Sequence, residues 1–170
     1  MSNSTQKTGL LTKIWHSYGM LLIFFVIFIG SCIFIPNFAT VVNMKGLGLA
    51  ISMSGMVACG MLFCLAAGEI DLSVASVIAC AGVVTAVVLN ATGNIFLGIT
   101  AGLSLGAFIG FINGFVIAKL KINSLITTLA SMQIARGLGY IISDGKAVGI
   151  VTEDFFQLGY QTVLGIPLPI

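Results

Sequence analysis

Long apolar segments separated by short polar ones dominate the pattern of the chain. No charged residue lies between Lys13 and Lys45, between Lys45 and Glu69, or between Asp71 and Lys119. A helix needs about 20 apolar residues to cross a hydrocarbon core of ~30 Å, so the last stretch is long enough for two crossings. The pattern predicts five membrane-spanning helices, at residues 18–35, 46–68, 72–89, 95–118 and 122–142.

The longest apolar stretch is predicted to turn at Asn90–Asn94, where polar and turn-forming residues cluster. Membrane strands alternate apolar and polar residues over about ten positions, whereas Met20–Ile29 and Met56–Ala67 are apolar on nearly every face. In lipid, such runs satisfy their backbone hydrogen bonds only as helices. The predicted fold class is therefore an all-α integral membrane protein, a polytopic helical bundle.

Composition excludes two other classes of protein. Of the 170 residues, 58% are hydrophobic and only 7% are charged, against about 25% charged residues in ordinary soluble domains. There are too few charges to cover a water-facing surface, which excludes a soluble globular protein. A nucleic-acid-binding protein is excluded as well, because it needs a basic surface to neutralise phosphates.

Lysine placement predicts an orientation with the N-terminus inside. Under that arrangement four lysines fall on the inner side and two on the outer side, namely Lys7, Lys13, Lys119 and Lys121 against Lys45 and Lys146. Residues 1–17 are then a cytoplasmic segment, 18–142 the transmembrane region and 143–170 an outer, periplasmic segment. A cleaved signal peptide is the alternative for the first span, but Pro36–Phe38 lacks a small-residue cleavage site, so a retained span is favoured.

Five glycines at a stride of four mark a predicted packing surface on the fourth helix: Gly98, Gly102, Gly106, Gly110 and Gly114. Small residues along one ridge let a second helix approach closely in lipid. The alternative is that glycine is simply common in membrane helices. Asn113, beside the ridge, could hydrogen-bond to a neighbouring helix or line a pathway, and the hydrogen bond is favoured.

The segment between the second and third spans holds the first candidate functional residues, Glu69, Asp71 and Ser73. Asp71 and Ser73 can cap the following helix by accepting backbone N–H bonds in its first turn, and Gly68 can end the helix before it. The alternative is a pair of acids that works in transport or subunit contact.

Arg136 interrupts the fifth span. Six residues from the outer end it can extend to the headgroups, or it can face a partner inside the protein.

Other chemistry finds little support in the sequence. The four cysteines lie in apolar runs without CxxC spacing, and no metal site is predicted. No G-x-x-x-x-G-K-[ST] loop is present, and no serine or cysteine has a histidine placed to activate it. No catalytic residue is therefore predicted, and ATP, if it drives the protein, must bind to another chain.

Two segments, Gly68–Ser76 (GEIDLSVAS) and Leu125–Leu138 (LITTLASMQIARGL), resemble the permease subunits of bacterial monosaccharide ABC importers. The ribose, xylose and arabinose members carry G-x-x-D-L-S-V-x-S and T-L-x-x-M-x-x-x-R-G-L segments. Pro36–Phe38 and Asn113–Gly114 are supporting matches. The resemblance covers residues 15–170, and the stretches NMKGLGLAISMSGMVACGMLFCLA and SDGKAVGI are most similar to the arabinose members.

The resemblance implies an importer of the bacterial inner membrane in which two permease copies, a homodimer, form the pathway. A periplasmic sugar-binding protein would deliver a monosaccharide, expected to be L-arabinose, to the face that includes residues 143–170. A separate ATPase subunit would bind ATP and Mg²⁺, so this chain would hold no cofactor and would not itself be an enzyme. Asp71, Ser73 and Arg136 match positions of the family motifs.

One departure from the family concerns length. Its members are about twice as long, with about ten spans, and their A-x-G-G-N-x-x-A-A coupling segment has no match here. We therefore expect this chain to be an N-terminal half, either a fragment or a truncated product. Two alternatives stay open: an ion- or proton-coupled secondary transporter that uses Glu69 and Asp71, and a structural or assembly protein of the membrane.

Overall fold

The computed structural model of the chain describes residues 10–160, 162–163 and 166–167. In chain order the described elements are α1 (Leu10–Phe34), α2 (Val41–Ala66), α3 (Val74–Thr92), α4 (Ile95–Ala118), α5 (Ser124–Ile142), α6 (Glu153–Tyr160), β1 (Thr162–Val163) and β2 (Ile166–Pro167). The chain divides into two compact units, Met1–Gly48 and Leu49–Ile170.

Within the described residues, five helices, α1 to α5, are long and apolar enough to cross a membrane. This confirms the predicted all-α membrane fold and its number of spans. The antiparallel pairing of β1 with β2, which joins Thr162 to Pro167 and Val163 to Ile166, is a small departure from an all-helical chain. It lies in the segment predicted to be outside the membrane.

The ends of the helices differ from the predicted spans by a few residues. α4 covers the predicted residues 95–118, whereas α1 is already helical at Leu10, within the predicted N-terminal segment, and α2 begins at Val41 instead of residue 46. α3 begins at Val74 and continues to Thr92, so the predicted turn at 90–94 shrinks to two residues. Hydropathy misses these ends because the first and last turns of a membrane helix can carry polar residues in the interfacial region.

In the first unit, a capped turn explains why α2 begins early. Thr40 is the N-cap residue, since its carbonyl accepts from the Met44 N–H at 2.9 Å and its Oγ1 accepts from the Asn43 N–H at 3.4 Å. The Asn43 amide also donates to the Phe38 carbonyl at 2.7 Å. The Phe38 ring lies edge-on to Phe28 of α1, with centroids 5.7 Å apart.

The second unit is built on α3, α4 and α5. α3 and α4 form an antiparallel hairpin, and α5 runs in the same direction as α3, since the Thr128 hydroxyl donates to the Ile70 carbonyl at 3.5 Å while Gly139 lies against Cys80. We call the end of this three-helix core where α3 begins the Ser73 end, and the opposite end the Asn90 end. The buried apolar residues of the described chain are few: Cys80, Ala86, Leu89 and Ala135.

Two glycines end helices in the left-handed conformation. Gly68 follows α2 with φ of +79°, and the Glu69 N–H donates to the Cys64 carbonyl at 3.0 Å, which is the bond expected when a glycine stops a helix. Gly93 follows α3 with φ of +65°. Asn94 then begins α4, since its side chain accepts from the Phe96 and Leu97 N–H groups.

The Asn90 side chain holds the segment that follows α5 through two hydrogen bonds. Its Nδ2 donates to the Gly149 carbonyl at 2.7 Å, and its Oδ1 accepts from the Val151 N–H at 3.0 Å. One amide side chain therefore satisfies a donor and an acceptor of an irregular backbone, as a neighbouring strand would do. The segment is held against the Asn90 end of the three-helix core.

Candidate functional site

The glycine ridge of α4 contacts α3 over its first half only. A Cβ atom added to Gly98 would lie 3.0 Å from the Leu89 Cβ, and one added to Gly102 would lie 2.9 Å from the Ala81 carbonyl oxygen and would overlap the Thr85 hydroxyl. Neither position can take a side chain unless α3 shifts. The predicted close packing is therefore found at the start of the ridge.

The second half of the ridge differs from the prediction. A Cβ on Gly106 would be 3.9 Å from Val77, an ordinary contact, and one on Gly110 or Gly114 would meet nothing within 4 Å in the described chain. The reason is geometric: at about 100° per residue, a stride of four advances the ridge by about 40° at each step. By Gly110 the ridge has turned about 120° away from α3.

A chain of hydrogen bonds joins the three helices near the Ser73 end. The Ser131 hydroxyl of α5 donates to the Asn113 Oδ1 of α4, and the Asn113 Nδ2 donates to the Ser73 Oγ at 3.2 Å. The Ser73 hydroxyl donates to the Asp71 carboxylate at 2.6 Å. We call these four residues the Asp71–Ser131 chain. Its centre is closed to solvent, with Ser73 1% and Asn113 4% exposed.

Local sequence explains why Ser73 takes part in this chain rather than capping α3. Ser73 precedes the first residue of α3, but its backbone is already helical (φ −79°, ψ −16°) and its side chain makes no capping hydrogen bond. The prediction that it caps the helix is wrong, because its hydroxyl is engaged by Asp71 and Asn113. Asp71 accepts one backbone N–H, that of Ser73, at 2.8 Å, so the tight turn is held by the acid.

Threonine and serine residues of α5 extend the polar contact towards the same end. Thr128 is 1% exposed, and its hydroxyl donates to the Ser124 carbonyl at 2.8 Å as well as to the Ile70 carbonyl across the helices. Ser124 is 6% and Thr127 8% exposed. α5 therefore packs with a polar face on the turn that holds Asp71.

The sequence analysis missed Ser131, Thr128 and Ser124. The signal that could have found them is the spacing of small and hydroxylated residues at positions 124, 128, 131 and 135, which recur every three or four residues and therefore share one helix face. On a membrane helix, a face of small residues that can hydrogen-bond indicates a contact with other helices.

Of the other predicted residues, Glu69 and Arg136 lie outside the Asp71–Ser131 chain. Glu69 is half-buried in the turn after α2, and Arg136 is exposed on α5. Arg136 lies beside a groove of about 370 Å³ between α3 and α5, whose lining also includes Tyr140, Ser143 and Lys146. The structure therefore brings Asp71, Ser73 and Asn113 together and leaves Arg136 on a different surface.

The chemistry of the Asp71–Ser131 chain is that of a structural junction. Each hydroxyl or amide donates in one direction, towards the carboxylate, and Ser73, whose hydroxyl contacts the carboxylate, is only 1% exposed and therefore closed to a substrate. In the part of the chain that the structure describes, no group of three or more His, Cys, Asp or Glu residues could hold a metal ion. Asp71 also lines a groove of about 570 Å³ beside α2, together with Met53, Met56 and Cys64.

Comparison with known proteins places the chain in a family. Residues 43–164 match the family model described as "Branched-chain amino acid transport system / permease component". The chain belongs to this permease family. It is a multi-pass protein of the bacterial inner membrane, in agreement with its five membrane-length helices.

Individual relatives are sugar permeases. The chain is 71% identical over 158 residues to the L-arabinose transport system permease protein AraH of Escherichia coli. The aligned residues make up 93% of this chain and 48% of that protein. It is 45% identical to the L-arabinose ABC transporter permease protein AraH of Azospirillum brasilense, covering 89% of this chain and 45% of the relative.

A ribose permease is more distant. The ribose import permease protein RbsC of Haemophilus influenzae is 35% identical, over 79% of this chain and 43% of that protein. The chain spans about half the length of the curated relatives it matches. No solved structure matches the chain.

Proposed function

We propose that this chain forms part of the membrane permease of an ATP-driven monosaccharide importer whose substrate is L-arabinose. The observation that carries the proposal is the 71% identity with an L-arabinose permease over 93% of the chain. The fall to 35% identity with a ribose permease supports arabinose over ribose as the substrate.

ATP hydrolysis belongs, in this proposal, to a separate subunit that holds ATP and Mg²⁺. The printed name of the Azospirillum relative, an ABC transporter permease protein, supports this division of labour. The chain then contributes helices and a pathway surface rather than a catalytic site. ATP binding to the ATPase subunit would cause helix movements in this chain.

Two further partners complete the proposed importer. A second permease copy would face this one across the pathway, and a periplasmic binding protein would deliver the sugar at the outer surface. With the N-terminus inside, as the lysines indicate, the Asn90 end of the core and the segment after α5 lie on that outer surface.

An ion- or proton-coupled secondary transporter is less well supported. Such a carrier needs a carboxylate that exchanges its proton or cation during transport. Asp71 instead accepts two hydrogen bonds from Ser73, at 2.8 Å from the backbone N–H and 2.6 Å from the hydroxyl. Both bonds hold the Asp71 carboxylate in the turn before α3, which favours a structural role over that of a carrier.

The test replaces the aligned N-terminal half of the E. coli L-arabinose permease with this chain. The hybrid is expressed with the ATPase and binding protein of that system in cells that lack other arabinose uptake, and uptake of labelled L-arabinose is measured. We expect uptake that requires the ATPase, and that excess unlabelled L-arabinose suppresses more strongly than D-ribose does.

Two results would contradict the proposal. One is uptake that follows an imposed proton gradient in vesicles without ATP or binding protein, which would favour the secondary transporter. The other is a correctly inserted hybrid that gives no uptake although the intact E. coli permease does so under the same conditions.

A further inference from the structure

The surface of α5 has three different faces. Its buried face, which includes Ser124, Thr128 and Ala135, packs in the three-helix core. One flank is apolar and exposed, with Ile134 63% and Ile141 77% exposed. The other flank carries polar residues at spacings of three, four and three, which place them on one side of a helix: Gln133, Arg136, Tyr140 and Ser143. We call these four residues the α5 polar stripe.

Three residues of the stripe, Arg136, Tyr140 and Ser143, border a groove whose opposite wall is made mostly of small side chains. The groove has a volume of about 370 Å³, and the α3 side is lined by Ala75, Ser76, Ala79, Cys80 and Val83. At Gly139, α5 passes close to α3, since a Cβ there would lie 3.7 Å from the Cys80 Cα, an ordinary contact. This volume is within the range of small-molecule sites, about 300–1,000 Å³.

Membrane depth decides what can face the stripe. Gln133 is the central residue of α5, which places it about 14 Å from either helix end at 1.5 Å per residue. Arg136 lies about 9 Å from the Asn90 end by the same rise, and a lipid phosphate could reach its guanidinium. A phosphate could not reach Gln133 at mid-membrane, so a lipid headgroup satisfies only part of the stripe.

Arg136 has no acidic partner among the residues that the structure describes. The ion pair within the described part of the chain joins Lys146 to Asp144, at 3.1 Å on the surface. An exposed, unpaired arginine within a membrane helix is unfavourable against hydrocarbon. A water-filled path would accommodate both the arginine and the amide of Gln133.

The chemistry of the stripe fits a neutral solute with many hydroxyls. Guanidinium, amide, phenol and serine groups offer hydrogen bonds without a carboxylate, and the Tyr140 ring offers an apolar face. The positive charge of Arg136 beside the groove disfavours the passage of cations and protons. A few adaptable hydrogen bonds also suit a path, where a solute must be bound weakly enough to leave.

We propose that the α5 polar stripe and the small-residue wall of α3 line the route of the monosaccharide through the membrane. The inference rests on the proposed function, because it names the surface that the transported sugar would contact. It assigns hydrogen bonding to Gln133 and Arg136 and apolar ring contact to Tyr140.

The test measures water access along α5 in the hybrid importer described above. The native cysteines are replaced by alanine, and retention of uptake is verified. Single cysteines are then introduced as Gln133→Cys and Tyr140→Cys, with Ile134→Cys and Ile141→Cys as matched controls one residue further along the helix. Each control has nearly the depth of its partner but lies on the apolar flank. The rate of reaction with a membrane-impermeant charged thiosulfonate is recorded.

We expect the stripe cysteines to react at least about tenfold faster than their controls, since only an ionised thiol reacts and a thiol in hydrocarbon stays neutral. L-Arabinose should slow their labelling in the presence of binding protein, and an unrelated sugar should not. Equal rates at Gln133→Cys and Ile134→Cys would place the stripe against lipid and overturn the inference. Labelling without protection by arabinose would indicate a wet surface, such as a subunit contact, and would overturn it too.

Transport by Arg136→Gln gives an independent measurement. Loss of one charged donor to a neutral sugar should raise KM for uptake about 3- to 10-fold at an unchanged amount of protein in the membrane. An unchanged KM would contradict the assigned role. Failure of this inference is distinguishable from failure of the proposed function, because the latter abolishes ATP-dependent uptake in the hybrid that carries no substitution in α5.

Discussion

Asn113 provides a direct test of how the three-helix core is held together. It is 4% exposed and makes two interhelical hydrogen bonds, one to Ser73 on the α3 side and one from Ser131 of α5. Asn113→Leu keeps most of the side-chain volume and removes both bonds. The substituted protein would keep its helices but lose the polar connection between them.

The magnitude follows from what each bond is worth in a membrane. Interhelical hydrogen bonds there average about 0.6 kcal/mol, with a maximum near 1.7. Ser73 keeps its bond to Asp71, and Ser131 can donate to a carbonyl of its own helix, so neither partner is left wholly unsatisfied. We expect Asn113→Leu to lower the free energy of unfolding by about 1–3 kcal/mol.

The assay is a double-mutant cycle with Ser73→Ala, read by reversible unfolding in bicelles or detergent. The coupling energy between the two positions should be about 0.5–1.5 kcal/mol. Ser104→Leu, an exposed polar-to-apolar change on the same helix, is the control and should change stability little. A coupling below about 0.3 kcal/mol, within the scatter of independent sites, would refute the argument that Asn113 and Ser73 support one another.

Three further predictions concern backbone contacts. Gly102→Ala should destabilise the protein by about 1–3 kcal/mol relative to Gly110→Ala, because only the first forces a Cβ against the α3 backbone; equal unfolding free energies would contradict this. Asn90→Leu removes the acceptor of the Val151 N–H, which donates to the Asn90 Oδ1 at 3.0 Å. Hydrogen exchange of the Val151 amide should therefore accelerate by about tenfold or more. An unchanged exchange rate would show that other contacts hold the segment. Gly68→Ala should lower stability by about 1 kcal/mol, because φ is +79° there; a stabilised protein would mean that the turn can rearrange.

Hydropathy was sufficient to predict the number of spans, because the long apolar runs are separated by charged residues or, at residues 90–94, by polar turn-forming residues. Local residue properties also predict Gly68 as a helix terminator and Asn113 as a residue that hydrogen-bonds between helices. Both predictions rest on a local property: glycine adopts positive φ without strain, and an amide on a membrane helix needs a partner.

The pairing of helix faces could not be predicted in the same way. α4 is apolar all round, so periodicity does not indicate which side faces α3, and the regular glycine spacing suggested a longer contact than the one at Gly98 and Gly102. The sequence neighbours of Ser73 alone predict a cap. Its actual partner, Asn113, lies 40 residues away along the chain.

The two hydrogen bonds of Asn90 also have a mechanical meaning. They attach the backbone at Gly149 and Val151 to the last turns of α3, and the other end of α3 adjoins Ser73. A helix of 19 residues is about 28 Å long and stiff along its axis. A pull applied to the segment after α5 is therefore delivered, over nearly the full thickness of the ~30 Å hydrocarbon core, to the turn that contains Asp71.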